Sequence, residues 1–306
     1  VEYWTPKAQD EWLKKCFPNK IDLIKDLLIP ENDMRRRNFG YLRAIELDSD
    51  LVITVDDDNF PLKGESWLNG HIKSLTNPLR KLGSPIGVIN PCNFLKLSYY
   101  DVYSRGYPLS KYYLNDLVYF QQGKSKSILN MGLWKNKPDV DSFTNILYPD
   151  LNSERLYGRS SYCLAKNNYF PVNTQNTSFK KELSFFHNLF MHPALFHRFD
   201  DIWIGLFTQR LMHKMGDSAS FGKPLVDHRR NIHSYIRDFN VEFMGIILND
   251  RMWNFIMDMP IESKTYNEGF LEIASHLPKF FDDYWFSNFF NKMKDSMELW
   301  VELIES

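Results

Sequence analysis

Cysteine is scarce. Cys16, Cys92 and Cys163 are the only three among 306 residues, and they lie far apart. Their odd number and wide spacing exclude a disulfide framework and a Cys-x-x-Cys zinc site, so a reducing compartment is expected. No apolar run approaches the ~18 residues of a membrane-spanning helix, and no signal peptide is visible. A cytoplasmic location follows as the expectation, either free or peripheral to a membrane. Neither sign of charge is in excess: 37 basic and 38 acidic residues leave a net charge of −1. No global basic field therefore argues for nucleic acid. Internal repeats and low-complexity linkers are also lacking. The chain opens on Val1 rather than Met, which leaves room for a natural N-terminus upstream.

What the chain does have is apolar and aromatic bulk. Hydrophobic residues make up 43% and aromatics 16%, enough for one large domain or two modest ones. Val1–Pro6 is a weak strand candidate. Short helices are expected at Gln9–Phe17 and Asp22–Leu28, and a longer one, N-capped by Asn32 or Asp33, through Arg35 to Leu47. Leu51–Val55 reads as a buried strand, Trp67–Leu75 as a helix, and Ile86–Asn90 as a second strand. Residues 99–132 look irregular. Tyr162–Ala165 and Phe170–Val172 suggest short strands, and Lys181–Phe190 a helix. Asp200–Met215 is a strong helix with Gly216 at its C-cap position, and Lys223–Val226 is a short strand. Beyond about residue 240 the pattern turns helical and aromatic. Phe280, Phe281, Trp285, Phe289 and Phe290 recur near helical spacing. Such a stripe is usually core, so a helical cap is the first reading and a homo-oligomer surface the second. Strands alternating with helices predict an α/β class, with a main domain over 1–240 and a helical region over 241–306.

The most informative feature is the run Leu51-Val-Ile-Thr-Val-Asp-Asp-Asp-Asn59. Asp56, Asp57 and Asp58 repel one another unless something positive sits among them, and a hard divalent cation with oxygen ligands is the natural partner. In open α/β sheets ligands bind outside the carboxyl ends of strands. The feature thus points to a metal site able to hold a diphosphate; the alternative is an acidic turn that caps a helix.

Four blocks give that turn its context: Arg36-Arg-Asn-Phe-Gly-Tyr-Leu42 ahead of it, Arg105-Gly-Tyr-Pro-Leu-Ser110, Gly132-Leu-Trp-Lys-Asn-Lys-Pro-Asp-Val-Asp141, and Phe199-Asp-Asp-Ile-Trp-Ile-Gly205. Together and in this order they resemble the reversibly glycosylated polypeptides, the plant UDP-arabinopyranose mutases and their glycosyltransferase-like relatives. The resemblance implies a GT-A-like, Rossmann-like fold for nucleotide-diphospho-sugars with a C-terminal helical extension. It also implies Mn²⁺ or Mg²⁺ and a nucleotide-sugar donor, a UDP-sugar first. One departure is that GT-A enzymes open on an apolar strand that holds the base, whereas only about thirty residues precede the Arg-rich segment here.

The resemblance carries over residue by residue. Asp58 would hold the metal and Asp56 the nucleotide, with Asp57 between the two roles. Arg105 matches the family's reversibly glycosylated arginine and would lie near the anomeric carbon. A guanidinium stays protonated and is a poor nucleophile, so a clamp or positioning role is preferred to covalent attachment. Asp200 and Asp201 would contact an acceptor hydroxyl, one of them as general base; a share in capping the helix is their bland role. Trp134 and Trp203 could stack on a sugar or simply fill the core. His228 would be a metal ligand, with His233 as its competitor. Arg229 and Arg230 could cradle a diphosphate or form a solvated turn. Among Arg35, Arg36 and Arg37, the resemblance favours Arg37.

Three functions are thus in play. A metal-dependent transferase from a UDP-sugar to a carbohydrate or glycan hydroxyl stands first, a UDP-sugar pyranose/furanose mutase second, and a non-catalytic scaffold third.

Overall fold

The N-terminal residues commit to helices. The structure is a computed structural model that describes residues 2–114, 117–156, 161–192, 197–231, 234–281 and 286–306. Thr5 accepts a hydrogen bond from the Ala8 amide and Pro6 occupies the first turn, so α1 (Pro6–Cys16) begins where a strand had been expected. α2 (Ile21–Leu27) follows. Asp33 then caps a 3₁₀ turn, Met34–Arg37, that runs into α3 (Asn38–Glu46).

β1 (Leu51–Val55) matches its expected bounds but not its expected burial: it lies at the end of the sheet, paired only with β9, and is mostly half-exposed. After β2 (Asn59–Pro61), α4 (Trp67–Thr76) and β3 (Leu79–Gly83) come β4 (Leu95–Leu97), β5 (Tyr119–Ser125) and β6 (Leu129–Asn136). α5 (Ser142–Leu147), β7 (Ser153–Leu156), β8 (Tyr162–Leu164) and β9 (Asn176–Lys180) lead to α6 (Asp200–Met215) and β10 (Ala219–His228). The chain closes with α7 (Tyr235–Asp258), α8 (Tyr266–Phe280) and α9 (Ser287–Glu305).

The described strands form one mixed sheet in the order β1-β9-β6-β10-β8-β3-β5, with β2 beside the end of β10. The class is α/β, but the sheet is mixed: β6/β10 and β3/β8 are parallel and the other pairings antiparallel. Because β9 runs opposite to both β1 and β6, strands β1, β6 and β10 point the same way. Their carboxyl ends share one edge of the sheet, and that edge carries the site.

Several expectations fail for identifiable reasons. Residues 86–90 form no strand; Val88 makes only a single bridge to Tyr169. The stretch 170–172 is likewise not a strand. Residues 99–132 are not wholly irregular, since β5 and the start of β6 fall within them; β5 is largely exposed and lacks the apolar signal of a strand. β9 is fully buried over Asn176–Phe179 yet polar in sequence, so hydrophobic periodicity passes over it. Residues 181–190 give one 3₁₀ turn, Lys181–Leu183, rather than a helix.

α6 has its expected bounds, and Gly216 takes the left-handed conformation at φ 85° that ends it. The boundary drawn at residue 240 falls inside α7. One apolar core extends from Leu13 through the sheet and α6 to Leu303 on α9. Phe281, Phe289 and Phe290 are buried in it, with Phe280 half-exposed, so the aromatic stripe is packing surface. Trp285 lies outside the described residues. None of the described helices is long and apolar enough to cross a membrane.

Candidate active site

The centre of the site is a buried cage of charge. Gly106, at φ 84°, packs so closely on Ile202 that a Cβ there would collide with it, and this seats the loop of Arg105 on the first turn of α6. Arg105 is 4% exposed. Every nitrogen of its guanidinium is engaged. Nε donates to both Asp139 oxygens at 3.1 Å, and Nη2 lies 3.0 Å from Asp139 Oδ2. Nη1 donates to Asp201 Oδ1 at 2.9 Å and to the Arg198 carbonyl, and Nη2 to Asp201 Oδ2 at 3.0 Å. The Asp139 carbonyl accepts from the Arg105 amide, and Asn173 donates to Asp139. Burial alone would lower the pKa of this guanidinium; Asp139 and Asp201 outweigh that and raise it well above the usual value.

The two neighbouring carboxylates are thereby made unlike. Asp201, desolvated but clamped by Arg105 and accepting from the Thr174 amide, has its pKa lowered. Asp200 is 1% exposed, and burial together with the adjacent Asp201 charge raises its pKa to about 6. Its Oδ2 accepts from Asn188 Nδ2 at 2.5 Å, while Oδ1 has no hydrogen-bond partner among the described residues. Neither carboxylate caps the amides of α6, so the shared capping role is not seen.

A second charged pair faces the cage. Arg37 donates to Asp56 Oδ1 at 2.5 Å, to Thr174 Oγ1 at 2.7 Å and to the Thr174 carbonyl. Burial works against its charge, but Asp56 prevails and raises its pKa. Arg37, Asp56, Arg105 and Asp201 line one cleft of about 90 Å³, joined by Met34, Thr174, Gln175, Asn188 and Arg198. Arg35 and Arg36 do other work: Arg35 is buried on Asp33 and the Leu27 carbonyl, and Arg36 ties Asp10 and Gln9. Among the three consecutive arginines, Arg37 alone lines the cleft.

The end of the acidic turn lies beside β10. Asn59 pairs with His228, which brings Asp58 Oδ2 to 3.5 Å from His228 Nε2. The Lys137 carbonyl sits 2.6 Å from His228 Nδ1 and accepts its N–H, which orients the ring so that Nε2 faces the carboxylate. A carboxylate oxygen and an imidazole nitrogen at this spacing fit a divalent cation as two of its ligands. Among the described residues no cluster of three or more His, Cys, Asp or Glu forms a complete protein-only metal set. The His228 pairing lowers the Asp58 pKa. Asp57 is exposed. Arg229 packs over Phe60 and pairs with Asp227, and Arg230 pairs with Asp238. His233 lies outside the described residues.

Trp134 offers no face to a ligand. It sits in β6, a central strand covered on both sides, and is 0% exposed, as is Trp203. The core-packing alternative therefore describes both, and the sugar-stacking role offered for Trp134 in donor binding is withdrawn. Sequence reasoning missed Asp139, Gln175, Asn188 and Arg198 as parts of this site. Asp139 stood inside the Pro-Asp-Val-Asp block and was within reach; the other three sit in stretches with no local signature.

The chain is similar to several proteins of known name. UDP-arabinopyranose mutase 1 of Arabidopsis thaliana is 25% identical over 300 residues, covering 93% of this chain and 76% of that protein. The probable UDP-arabinopyranose mutase 1 of Solanum tuberosum is 26% identical, with 93% of this chain and 74% of that protein covered. UDP-arabinopyranose mutase 1 of Oryza sativa subsp. japonica is 25% identical with the same coverage. A family model described as reversibly glycosylated polypeptide matches residues 22–306. The chain belongs to the reversibly glycosylated polypeptide family.

Proposed function

We propose that this protein is a UDP-sugar mutase that interconverts the pyranose and furanose forms of a UDP-pentose, arabinose first among them. The reading is carried by the Arg105–Asp139–Asp201 cage opening on the Arg37–Asp56 pair, in a chain whose relatives are named for this activity. The mutase thus moves ahead of the transferase ranked first from sequence.

The chemistry is internally balanced. The C1–O5 bond of the pyranose breaks, a C1–O4 bond forms, and one proton passes from O4 to O5. No oxidant, reductant or acceptor is consumed. In this reading Arg37, Asp56 and Asp57 hold the nucleotide. Asp58 and His228 would hold Mn²⁺ or Mg²⁺, which when bound supplies positive charge against the diphosphate. Arg105 acts as a clamp: buried, charged and hydrogen-bonded at every nitrogen, it has no lone pair to offer. Asp201 faces the cleft and Asp200 reaches it through Asn188, so the proton transfer falls to this pair.

UDP-arabinopyranose incubated with the protein and Mn²⁺, without acceptor, is expected to yield UDP-arabinofuranose, resolved by anion-exchange chromatography. Failure to form a ring isomer from any of several UDP-pentoses would sink the reading. Arg105→Lys should lower kcat about 100-fold or more, because a point charge cannot replace two bidentate contacts. Asp58→Ala should weaken donor binding about as much as EDTA weakens that of the wild type, and EDTA should have no further effect on the variant.

A further inference from the structure

Two residues that line the cleft carry buried acceptor oxygens with nothing to accept. Gln175 is 7% exposed and Asn188 2%, and both line the cleft. Gln175 Oε1 and Asn188 Oδ1 are buried and have no hydrogen-bond partner among the described residues. The orientation of the Asn188 amide is not arbitrary. Its Nδ2 donates to the Asp200 carboxylate, which can only accept when ionised, so the oxygen is the end left free. Its backbone amide is already held by Asn38 Oδ1. The Gln175 amide donates to Asn173 Oδ1, which fixes the backbone from which its side chain projects.

A buried acceptor left unpaired keeps the full cost of its desolvation, and folded proteins keep few of them. Two in one cleft of about 90 Å³ are explained if something else brings the donors. The cations of the cleft are already matched: Arg37 by Asp56, Arg105 by Asp139 and Asp201, and Arg198 by Glu242. The ligand portion that completes the site is therefore a neutral group bearing at least two O–H donors, not an anion.

We propose that Gln175 and Asn188 form the sugar subsite and read two hydroxyl groups of the sugar ring. This rests on the UDP-sugar reading above and deepens it. Diphosphate recognition lies with the Asp58–His228 side, and sugar identity with these two amides. A site built to accept from hydroxyls discriminates strongly against a ligand that lacks them, because the buried acceptors then stay unpaired.

The test is Gln175→Met, which keeps the shape and removes the acceptor, with Gln175→Leu as a second variant should the first fold poorly. Binding of UDP and of UDP-arabinopyranose is measured by calorimetry, and the melting temperature is measured without ligand. The expected result is at least tenfold weaker binding of UDP-arabinopyranose, unchanged binding of UDP, and a ligand-free melting temperature that stays the same or rises. Three results overturn the proposal: equal losses for UDP and UDP-arabinopyranose, no loss for either, or a melting temperature lowered by several degrees, which would make Gln175 a structural residue.

A wild type that binds neither nucleotide would end the mutase reading without deciding the subsite. The subsite is then decided by free arabinose at high concentration. A larger melting-temperature rise in the wild type than in Gln175→Met supports it, and equal rises, reflecting only a general solute effect, refute it.

Discussion

Two buried carboxylates side by side cannot both ionise freely, and here one arginine separates them. Arg105 takes Asp201 and leaves Asp200 to the low-dielectric interior. The linkage sign follows. Asp200 titrates at about 6 in the folded protein and near 4 when unfolded, so the folded state binds more protons between those values. Its contribution to stability is therefore present at low pH and lost as pH rises from about 4 through 6. Asp201, with a lowered pKa, works the other way: its contribution is present above the unfolded value and lost as pH falls through the folded one. Asp200→Asn removes the first of these while keeping an acceptor for Asn188. It should stabilise the protein at neutral pH by on the order of 2 kcal/mol and abolish the decline between pH 4 and 6 in denaturant titrations. A variant with the wild-type slope would show that Asp200 is not the buried acid. If the pair moves the proton during isomerisation, Asp200→Asn should also lower kcat more than it changes KM. The Asp pair was legible from sequence as a site; the inequality of its members was not, because it depends on Arg105 arriving from nearly a hundred residues away.

At the scale of elements, α7 acts as a strut that holds the Arg105 cage from outside. Glu242, 0% exposed, accepts from the Ser142 amide with one oxygen at 2.7 Å and lies 2.5 Å from Arg198 Nε with the other. It thus joins the loop that carries Asp139 to the residue whose carbonyl takes a hydrogen of Arg105. About two to three turns further along, Asn249 and Trp253 both donate to the Gly106 carbonyl, and Asp250 accepts from the Ser110 amide. Glu242→Gln keeps the acceptor for Ser142 and removes the charge opposite Arg198. Hydrogen exchange of segments 104–107, 139–142 and 198–201 should speed up while that of β6 and β10 does not change, and kcat should fall about tenfold with a smaller effect on KM. Uniform loss of protection would instead mark Glu242 as a general stability residue. Elements were legible where their pattern was strong. α6 and β1 had the right bounds because an apolar face and a clear stop are local properties. β9 was not legible: Asn176 and Ser178 are buried by neighbours on both sides and satisfied by His71, Trp67 and the Pro224 carbonyl, none of which is close in sequence, and only Thr177 finds a local partner, the Asn173 carbonyl. The Asp58–His228 pairing was anticipated from resemblance, but its physical cause, the register of β2 against β10, appears only in the fold.

For the whole molecule, the question is whether the C-terminal helices are an addition or part of the same cooperative unit. The packing supports the second view. Trp300 on α9 is 0% exposed, stacks on His187 with ring centroids 4.5 Å apart, and donates to the Ser184 carbonyl. His187 is buried, its pKa pushed down to about 3 by that burial, so the stack joins two neutral rings and adds no titration near neutral pH. Segment 184–188 leads to Asn188, which holds Asp200. α9 is thereby connected to the charged cage through packed side chains rather than through a linker. Trp300→Ala removes one of the largest buried side chains and should cost about 3–5 kcal/mol. If the helices and the sheet unfold together, urea titrations of wild type and variant should each give one transition, with far-ultraviolet and near-ultraviolet dichroism coincident and the variant's midpoint lower. UDP-arabinopyranose, bound only at the sheet edge, should then raise the midpoint of that single transition, including the part reported by the helices. Two separate transitions, with ligand moving only the later one, would mean that α8 and α9 fold as a unit of their own and that the continuous core does not transmit their stability to the site.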